Sequence, residues 1–518
     1  MRSTERNPAT TAQSRYGTLP LPSARPTIRL SKSVLVVPAG FMAVTCLGFH
    51  FLLSGPSFGA PLSPRMRLDA VAPELILVEP RQLHLAFAGT SPGTGMTVSW
   101  TTYRKVNDSC VWYGVTADDL SLEVQAEPRS YYADDNYTLF TYHATLDSLT
   151  PLTQYYYRVG SRANQTLRSA VRRFKTGRPT LPVHANDTFE AAIYADFGER
   201  NAEATVRLLT QLKDRVEFIW HVGDISYADN AFHALNADTA ALGFVYEKAY
   251  NAWMDALEPT MQEVPYMTTV GNHEAECYSP VCIYSREKQA QLSNYSAYNA
   301  RFRMPSNGAL NMWYSWNHGP VHFVSISSET DYDGAPSNNK GTSVENGHFG
   351  DQLSWLETDL GRVNRSETPW VIVGCHRPVY GLKVYKANGK PKAKQQALQK
   401  AFEPLFLRHK VDVVISGHQH AYERHFPIAE SKPHLEGVSL DRSLYRSPTA
   451  PVYIVSGSCG STDGHEPYVD VAAQTWNVLY DNVHYGISTL RANRTALEWA
   501  FVHSVDGATI DHFTIVNE

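Results

Sequence analysis

The sequence reads EAAIYAD at residues 190–196, FIWHVGD at 218–224, VPYMTTVGNHE at 264–274, WVIVGCH at 370–376 and VDVVISGHQH at 411–420. Each segment contains an apolar run of strand length, which is typical of strands buried on both faces of a sheet. Helix-like stretches separate them, so the segments predict parallel strands covered by helices. Each segment also ends with residues that can bind a metal. Because ligands bind just outside the carboxyl ends of such strands, we expect these residues to meet at one edge.

The regions flanking these segments are expected to be mainly β. Residues 80–177 alternate apolar and polar positions between turn residues, which predicts a small fibronectin-III-like β-sandwich. Residues 187–440 carry the alternating strands and helices, including an amphipathic stretch at 395–407. Residues 448–518 return to strands and are expected to extend the α/β part. The predicted fold class is therefore α/β plus all-β.

Composition excludes several classes of protein. The chain has 518 residues, of which 43% are apolar and 19% charged, so it is neither disordered, collagen-like nor a coiled coil. Its formal net charge of −5 gives no global basic field for nucleic acid. Six cysteines are too few for a disulfide-stapled miniprotein.

The N-terminal region predicts entry into the secretory pathway. Residues 1–33 carry six basic side chains against one acid and are expected to be a cytosolic tail. Residues 34–53 have no charged side chain and would span about 30 Å as a helix. They are either the signal anchor of a type II membrane protein or a cleaved signal peptide that leaves a secreted protein. Residues 54–79 are expected to be a linker.

Two further features support export. Seven Asn-x-Ser/Thr glycosylation motifs follow the apolar segment and none precedes it: Asn107, Asn136, Asn164, Asn186, Asn294, Asn364 and Asn493. In an oxidising compartment, Cys277 and Cys282 are expected to form a local disulfide. In the cytosol, the same pair would instead suggest a metal clip.

Each metal-binding residue type has a common structural explanation when it stands alone. An Asp after a strand is more often a turn or cap residue, and a lone His is more often a surface or core residue. The ordered set is more specific than its members. It consists of Asp196-x-Gly198, Gly223-Asp224-x-x-Tyr227, Gly271-Asn272-His273-Glu274, Val373-x-x-His376 and Gly417-His418-x-His420.

This set resembles the purple acid phosphatases, a branch of the calcineurin-like metallophosphoesterases, over about residues 80–518. The resemblance implies an αββα sandwich with a binuclear centre. One metal would take Asp196, Tyr227 and His420, the other Asn272, His376 and His418, and Asp224 would bridge them. Gly198 stands where related families usually have a His, and Tyr227 is gained, which favours this branch over phosphodiesterases and 5′-nucleotidases.

The two ligand sets differ in chemistry. Carboxylates, a phenolate and one imidazole suit Fe(III), whereas two imidazoles, an amide oxygen and a shared carboxylate suit a divalent Zn, Fe or Mn ion. The expected reaction is in-line attack on phosphorus by a metal-bound hydroxide. His273 is expected to bind the phosphoryl group or protonate the leaving oxygen. The alternative is a structural role in which Glu274 holds its ring.

One feature departs from the plant members of the family. They place a His pair about ten residues after the Val-x-x-His ligand, and this chain has no histidine there. The residues that can contact substrate in its place are Arg377, Tyr380, Lys383, Tyr385 and Lys386.

The predicted function is that of an acid phosphatase acting on phosphate monoesters, without a nucleic-acid partner. One alternative is a phosphodiesterase or a nucleotide or phytate phosphohydrolase of the same metal class. The other is a surface binding protein with a degenerate enzyme domain. The sequence leaves the natural substrate, the divalent metal and the oligomeric state open.

Overall fold

The structure is a computed structural model that describes residues 77–89, 91–133, 138–182, 187–230, 245–277, 282, 285–337, 346–468 and 473–517. The predicted tail, the predicted anchor and most of the predicted linker lie outside these residues. Within them, no helix has the length and apolar character needed to cross a membrane.

The first seven strands form a β-sandwich, as the sequence predicts. They are β1 (Arg81–Ala88), β2 (Gly95–Thr102), β3 (Ser109–Gly114), β4 (Leu122–Gln125), β5 (Phe140–Leu146), β6 (Gln154–Ser161) and β7 (Arg172–Lys175). Antiparallel sheets of order β1-β2-β5 and β4-β3-β6-β7 make its two layers. Trp100 and Tyr142 are cross-strand neighbours in the core, with ring centroids 5.3 Å apart.

The remaining elements form a layered α/β domain. Its strands are β8 (Phe189–Tyr194), β9 (Phe197–Gly198), β10 (Phe218–Val222), β11 (Ile225–Ser226), β12 (Tyr266–Thr269), β13 (Tyr314–His318), β14 (Val321–Ile326), β15 (Trp370–Cys375), β16 (Val413–Ser416), β17 (Tyr422–Ala429), β18 (Lys432–Pro433), β19 (Leu444–Arg446), β20 (Val452–Ser456), β21 (Asn477–Asp481), β22 (Gly486–Ala492), β23 (Ala496–His503) and β24 (Thr509–Val516). Its helices are α1 (Glu203–Leu212), α2 (Val245–Met261), α3 (Arg286–Leu292), α4 (Ser296–Arg301), α5 (Gln352–Gly361) and α6 (Ala393–Arg408).

These strands build two large sheets. One has the order β12-β10-β8-β22-β23-β24-β19, and the other runs β13-β14-β15-β16-β20-β17-β18, with β21 paired to β17. The neighbours β12-β10-β8 and β14-β15-β16-β20 are parallel. The C-terminal strands β20 and β22 to β24 extend both sheets.

Strand β15 shows why these segments are apolar at every position. Trp370 and Ile372 belong to the core between the sheets, whereas Val371 and Val373 pack with α5 and α6 on the outer face. Side chains alternate along a strand, so burial on both faces requires an unbroken apolar run. Because neighbouring strands here are parallel, their carboxyl ends lie at one edge of each sheet.

Candidate metal centre

Most of the predicted ligands lie directly after the strands that the sequence predicts. Asp196 follows β8, Asp224 follows β10 and His376 follows β15. Asn272 opens a 3-10 turn, Asn272–Glu274, shortly after β12, and His418 comes two residues after β16. Tyr227 follows the short strand β11, and His420 completes the Gly-His-Gln-His segment. The chain therefore delivers all seven side chains from the ends of strands.

The structure brings Asp196, Tyr227 and His420 together in a triangle of donor atoms. Tyr227 Oη lies 3.1 Å from Asp196 Oδ1 and 3.0 Å from His420 Nε2, and His420 Nε2 lies 3.4 Å from Asp196 Oδ1. Adjacent ligands of an octahedral ion with bonds of about 2.1 Å are about 3.0 Å apart. These three atoms therefore have the spacing that a single cation requires.

A second group contains Asp224, His376 and His418, whose ligand atoms all lie within 4.8 Å of one another. His376 Nδ1 donates to Val222 O at 3.1 Å, so its Nε2 carries the lone pair and faces Asp224 Oδ2 at 2.9 Å. Two acceptor atoms at this distance need a proton or a cation between them. This buried place is one that a divalent cation fits.

Backbone hydrogen bonds connect the two groups. His418 N donates to Asp196 Oδ2 at 2.8 Å, and His273 N donates to Asp224 Oδ1 at 3.0 Å. Asp224 therefore has one carboxylate oxygen facing His376 and the other facing the turn that begins at Asn272. Both contacts are with segments that carry ligands predicted for the same cation, Asn272 and His376.

The backbone at this edge adopts an uncommon conformation. Asp196, Asp224, Tyr227 and His418 have φ values of 61°, 57°, 54° and 68°. Non-glycine residues in this left-handed region cost about 1–3 kcal/mol each, and such strain concentrates at functional sites. The neighbouring hydrogen bonds hold the four residues in a conformation that turns their side chains toward one another.

Two glycines are required by close approach. Gly223 has a φ of 85°, and a Cβ there would lie 2.6 Å from His376 Nδ1. A Cβ at Gly198 would lie 3.2 Å from Tyr227 Cδ2 and would clash with Thr462 Oγ1. Thr462 and Tyr227 thus occupy the space beside Gly198, so a larger residue there would displace one of them.

Burial and charge set the protonation of the predicted ligands. Burial raises the pKa of Asp224, but His376 and His273 outweigh that effect and lower it well below the usual range. Burial lowers the pKa of His376, but Asp224 overcomes this and raises it to about 9. Burial and the Asp196 carboxylate raise the pKa of Tyr227 well above its usual value, so ionisation of this phenol needs a positive charge beside it.

His273 lies beside both groups, but Asp229 holds its ring. His273 Nδ1 is 2.8 Å and 2.9 Å from the two Asp229 carboxylate oxygens, and its Nε2 is 3.8 Å from Asp224 Oδ2. Burial lowers the pKa of His273, but the Asp229 and Asp224 carboxylates outweigh it and raise the pKa to about 10. Sequence reasoning missed Asp229, although its position two residues after Tyr227 was the available signal.

The suggestion that Glu274 holds His273 is wrong. The Glu274 carboxylate accepts instead from the N–H groups of Asp224, Ile225 and Gly271, at 3.0, 2.7 and 2.6 Å. It therefore ties the loop after β10 to the loop after β12. Burial, together with the Asp224 charge, raises the pKa of Glu274 to about 8.

Of the residues suggested to replace the plant-type His pair, Arg377 lies nearest the centre. Its Nη1 is 2.9 Å from His418 Nε2, and its Nε donates to Glu329 at 2.9 Å. Tyr380 is instead a core residue, 1% exposed, whose hydroxyl donates to Glu403 at 2.6 Å. Tyr385 is also buried, and its ring packs against that of Trp476 with ring centroids 5.3 Å apart.

The predicted disulfide is present. Cys277 and Cys282 are bonded, and the cysteines at 110, 375 and 459 are buried as free thiols.

Three models of known protein families match consecutive parts of the chain. Family models match at residues 80–176 for the purple acid phosphatase N-terminal domain, 183–422 for the calcineurin-like phosphoesterase and 450–512 for the iron/zinc purple acid phosphatase-like protein C. An acid phosphatase of Aspergillus ficuum is 28% identical, with 90% of each chain covered. Acid phosphatase type 7 of Mus musculus is 30% identical, covering 79% of this chain and 84% of that protein.

A solved structure shares the fold. The purple acid phosphatase from yellow lupin (Lupinus luteus) seeds superimposes with a TM-score of 0.65 at 21% identity, covering 85% of this chain and 75% of that one. Two sheets with candidate ligands at their strand ends define a calcineurin-like phosphoesterase. Within that class, this chain belongs to the purple acid phosphatase family. The predicted family, fold class and acid phosphatase function are confirmed.

Proposed function

We propose that this chain hydrolyses phosphate monoesters at a binuclear Fe(III)–M(II) centre. One cation is held by Asp196, Tyr227 and His420, the other by Asn272, His376 and His418, and Asp224 is shared. The observation that carries the proposal is the spacing of the Asp196, Tyr227 and His420 donor atoms, 3.0–3.4 Å apart. When bound, the two cations supply a nucleophile from water and neutralise the charge of the phosphate.

Donor chemistry supports the choice of metals. Asp196 and an ionised Tyr227 form a hard, anionic set that favours Fe(III), and the imidazoles of His376 and His418 favour a divalent ion. His376 and His420 present Nε2 because each donates Nδ1–H to a carbonyl oxygen, that of Val222 at 3.1 Å and of Gly464 at 2.9 Å. Both rings are therefore oriented before any cation arrives.

In this proposal, His273 is the group that moves a proton. Asp229 anchors its Nδ1, so the Nε2 that faces the centre carries a proton in acid solution. Donation from Nε2 to the leaving oxygen allows the alcohol to depart neutral. Arg377, 2.9 Å from His418 and paired with Glu329, adds positive charge beside the phosphate.

The test is elemental analysis and a visible absorption spectrum of the purified protein, with turnover of 4-nitrophenyl phosphate and of its bis-ester. We expect iron with a second metal, a tyrosinate charge-transfer band, and faster turnover of the monoester. Tyr227→Phe should lose the band, whereas Tyr480→Phe, a 51% exposed control, should keep it. An active protein without iron would contradict the proposed metals, and faster bis-ester turnover would favour a phosphodiesterase.

We also propose that this catalytic part lies on the lumenal or extracellular side, behind an uncleaved signal anchor at residues 34–53. Seven glycosylation motifs and the Cys277–Cys282 disulfide support this location. Glycosidase treatment should increase the mobility of the protein from cells, and protease added outside intact cells or vesicles should distinguish an anchored form from a secreted one. An N-terminus beginning near residue 60 would contradict the anchor.

A further inference from the structure

Two histidines outside the candidate metal centre form a pair on neighbouring turns. His484 precedes β22, and His503 is the last residue of β23, the strand that pairs with β22. A backbone hydrogen bond from Ser504 N to Tyr485 O, at 2.8 Å, joins the two turns. The ring centroids of the pair are 5.0 Å apart, and the ring planes are inclined by 74°. Neither histidine belongs to the predicted ligand set.

Each ring of this pair is oriented by its own carboxylate. His484 Nδ1 lies 2.8 Å from Asp481 Oδ2, and His503 Nδ1 lies 2.8 Å from Asp506 Oδ1. A carboxylate only accepts, so each Nδ1 donates and each neutral ring carries its lone pair on Nε2. Neither Nε2 has a hydrogen-bond partner in the part of the chain that the structure describes. Carboxylates commonly orient metal-binding histidines in this way, with Nε2 left for the ion.

The backbone in turn holds both carboxylates. Asp481 Oδ1 accepts from the N–H groups of Val483 and His484 at 3.0 and 2.9 Å. Asp506 Oδ1 also accepts from Ala508 N at 3.0 Å. The two imidazole side chains are 38% and 21% exposed, so an ion from solvent can reach them. Because the rings are fixed in place beforehand, less side-chain entropy is lost when an ion binds.

The candidate metal centre supplies a reference for this geometry. His376 and His418, which are predicted to bind the same cation, have ring centroids 5.2 Å apart and ring planes inclined by 78°. The separation and inclination of His484 and His503 are nearly the same. Two imidazoles on one zinc ion, with Zn–N bonds of about 2.1 Å, have centroids about 4.6–5.3 Å apart. Both pairs lie within this range.

We propose that His484 and His503 form a further cation site, separate from the binuclear centre, and that it binds Zn²⁺. Imidazole nitrogen suits zinc, whereas Ca²⁺ and Mg²⁺ take oxygen ligands. The carboxylates of Asp481 and Asp506 offset the charge of the ion. A bound ion joins the turn before β22 to the turn after β23. This inference goes beyond the proposed function, because no step of phosphate hydrolysis requires the site.

Zinc titration of the full chain, with its binuclear centre already loaded, tests the proposal. Calorimetry should detect a further equivalent of zinc in the unaltered protein. His484→Ala and His503→Ala should each weaken its binding by more than about a hundredfold, since losing a ligand costs more than losing the group that orients it. Turnover of 4-nitrophenyl phosphate should stay unchanged, because neither histidine is a proposed ligand of the binuclear centre.

Two further variants show whether the paired geometry matters. Asp506→Asn should weaken zinc binding by about 10–100-fold, because an amide no longer fixes the proton on Nδ1 of His503. His348→Ala is the matched control. His348 Nδ1 lies 3.6 Å from Asp331 Oδ1 on a 90% exposed side chain, so it is also a histidine beside a carboxylate. No second imidazole contacts it within the described ranges, and its loss should leave zinc binding unchanged.

Three outcomes would overturn the site. If the loaded protein takes up no further zinc, edge-to-face packing accounts for the pair. If His348→Ala weakens binding as much as His484→Ala, the zinc is scattered over surface histidines. Diffraction at the zinc absorption edge should place an anomalous peak between the two rings, and a peak only elsewhere would contradict the assignment. Uptake of this zinc by a protein that does not hydrolyse 4-nitrophenyl phosphate would refute the proposed function and support the site.

Discussion

Two buried polar clusters in this molecule differ in how their polar atoms are arranged. At the contact between the N-terminal sandwich and the α/β domain, Arg301 Nη2 lies 2.8 Å from Glu247 Oε2 and its Nε donates to Tyr131 Oη at 2.8 Å. Tyr131 Oη in turn donates to Glu247 Oε1 at 2.7 Å. Every one of these bonds ends on another member of the cluster, as a buried ion pair requires.

The candidate metal centre brings together side chains that can bind a cation. His376 Nε2 faces Asp224 Oδ2 at 2.9 Å, and the ligand atoms of Asp196, Tyr227 and His420 lie 3.0–3.4 Å from one another, a spacing that a shared cation also requires. Residues with positive φ occur at the centre and also beside the first cluster, at Gln82, whose Oε1 accepts from Arg301 at 3.5 Å. Both clusters are buried, so burial alone does not distinguish a structural polar cluster from a ligand site. The close spacing of several carboxylate, phenol and imidazole atoms does.

The largest effect is expected from Asp224→Asn. It keeps the shape of the side chain but removes the negative charge between the two ligand groups. We expect loss of both metals and a fall in kcat of more than about a thousandfold, since several kcal/mol of transition-state stabilisation depend on the cations. Elemental analysis and nitrophenyl phosphate turnover measure this. Asp214→Asn, which alters a 71% exposed side chain, is the control. A fully active Asp224→Asn protein would refute the assignment of this centre.

Arg301→Met tests the other cluster. Because it leaves Glu247 charged and buried, we expect the free energy of unfolding to fall by about 3–5 kcal/mol. The folded fraction should keep its kcat and metals, since the pair does not contact the centre. Urea unfolding measures the loss. The double variant Arg301→Met/Glu247→Gln should recover part of it, and a loss of metal in folded Arg301→Met would erase the distinction between the clusters.

The fold and the placement of the candidate ligands could be predicted from sequence for one shared reason. Apolar runs buried on both faces predict parallel strands, and parallel strands bring Asp196, Asp224 and His376 to one edge. Asp229 could not be found in this way. Its role depends on the 3-10 turn Ala228–Asn230, which lies beside the turn that carries His273. The pattern of apolar residues along the strands does not predict such a contact between two turns.

Tyr380 illustrates the converse limit. Its distance along the chain from His376 suggested contact with substrate, but its hydroxyl reaches Glu403 on α6. Spacing along the sequence predicts which region of the fold a side chain lies in. It does not predict where the side chain points, because its hydrogen-bond partner, here Glu403, lies on another element. The positive φ values of the proposed ligands are equally invisible in the sequence, since Asp, Tyr and His rarely adopt that conformation.

A smaller effect is expected from Asp229→Asn, which tests whether Asp229 positions His273. The amide keeps a hydrogen bond to His273 Nδ1 but lacks the charge that stabilises a protonated ring. We expect kcat to fall by about 10–100-fold, the usual cost of removing a residue that orients a functional group. KM and metal content should change little, which separates a positioning role from a structural one. A loss of metal with no separate loss of kcat per bound metal would contradict the role of Asp229.

The smallest effect is expected from Glu217→Gln, in a third cluster that is built around an ion pair. Glu217 lies 2.6 Å from Arg178 Nη2 and 2.9 Å from His318 Nε2. Burial raises its pKa, but His318 and Arg178 outweigh this and lower it from 4.5 to about 2. Above pH 4.5 the carboxylate is charged in both states and its contribution is complete. As the pH falls from 4.5 to about 2, the unfolded state takes up the proton first, so that contribution is lost.

Glu217→Gln should therefore lower the free energy of unfolding by about 1–3 kcal/mol at pH 6, because a shift of this size is partly screened at a 16% exposed side chain. The deficit should shrink between pH 4.5 and 2, as unfolding in urea at several pH values would show. Glu498→Gln is the control, since its pair with Arg491 is exposed. A deficit that stays constant over this range would mean that packing, and not charge, accounts for the loss. The metal centre should be unaffected in either case, because Glu217 precedes β10 whereas the proposed ligand Asp224 follows it.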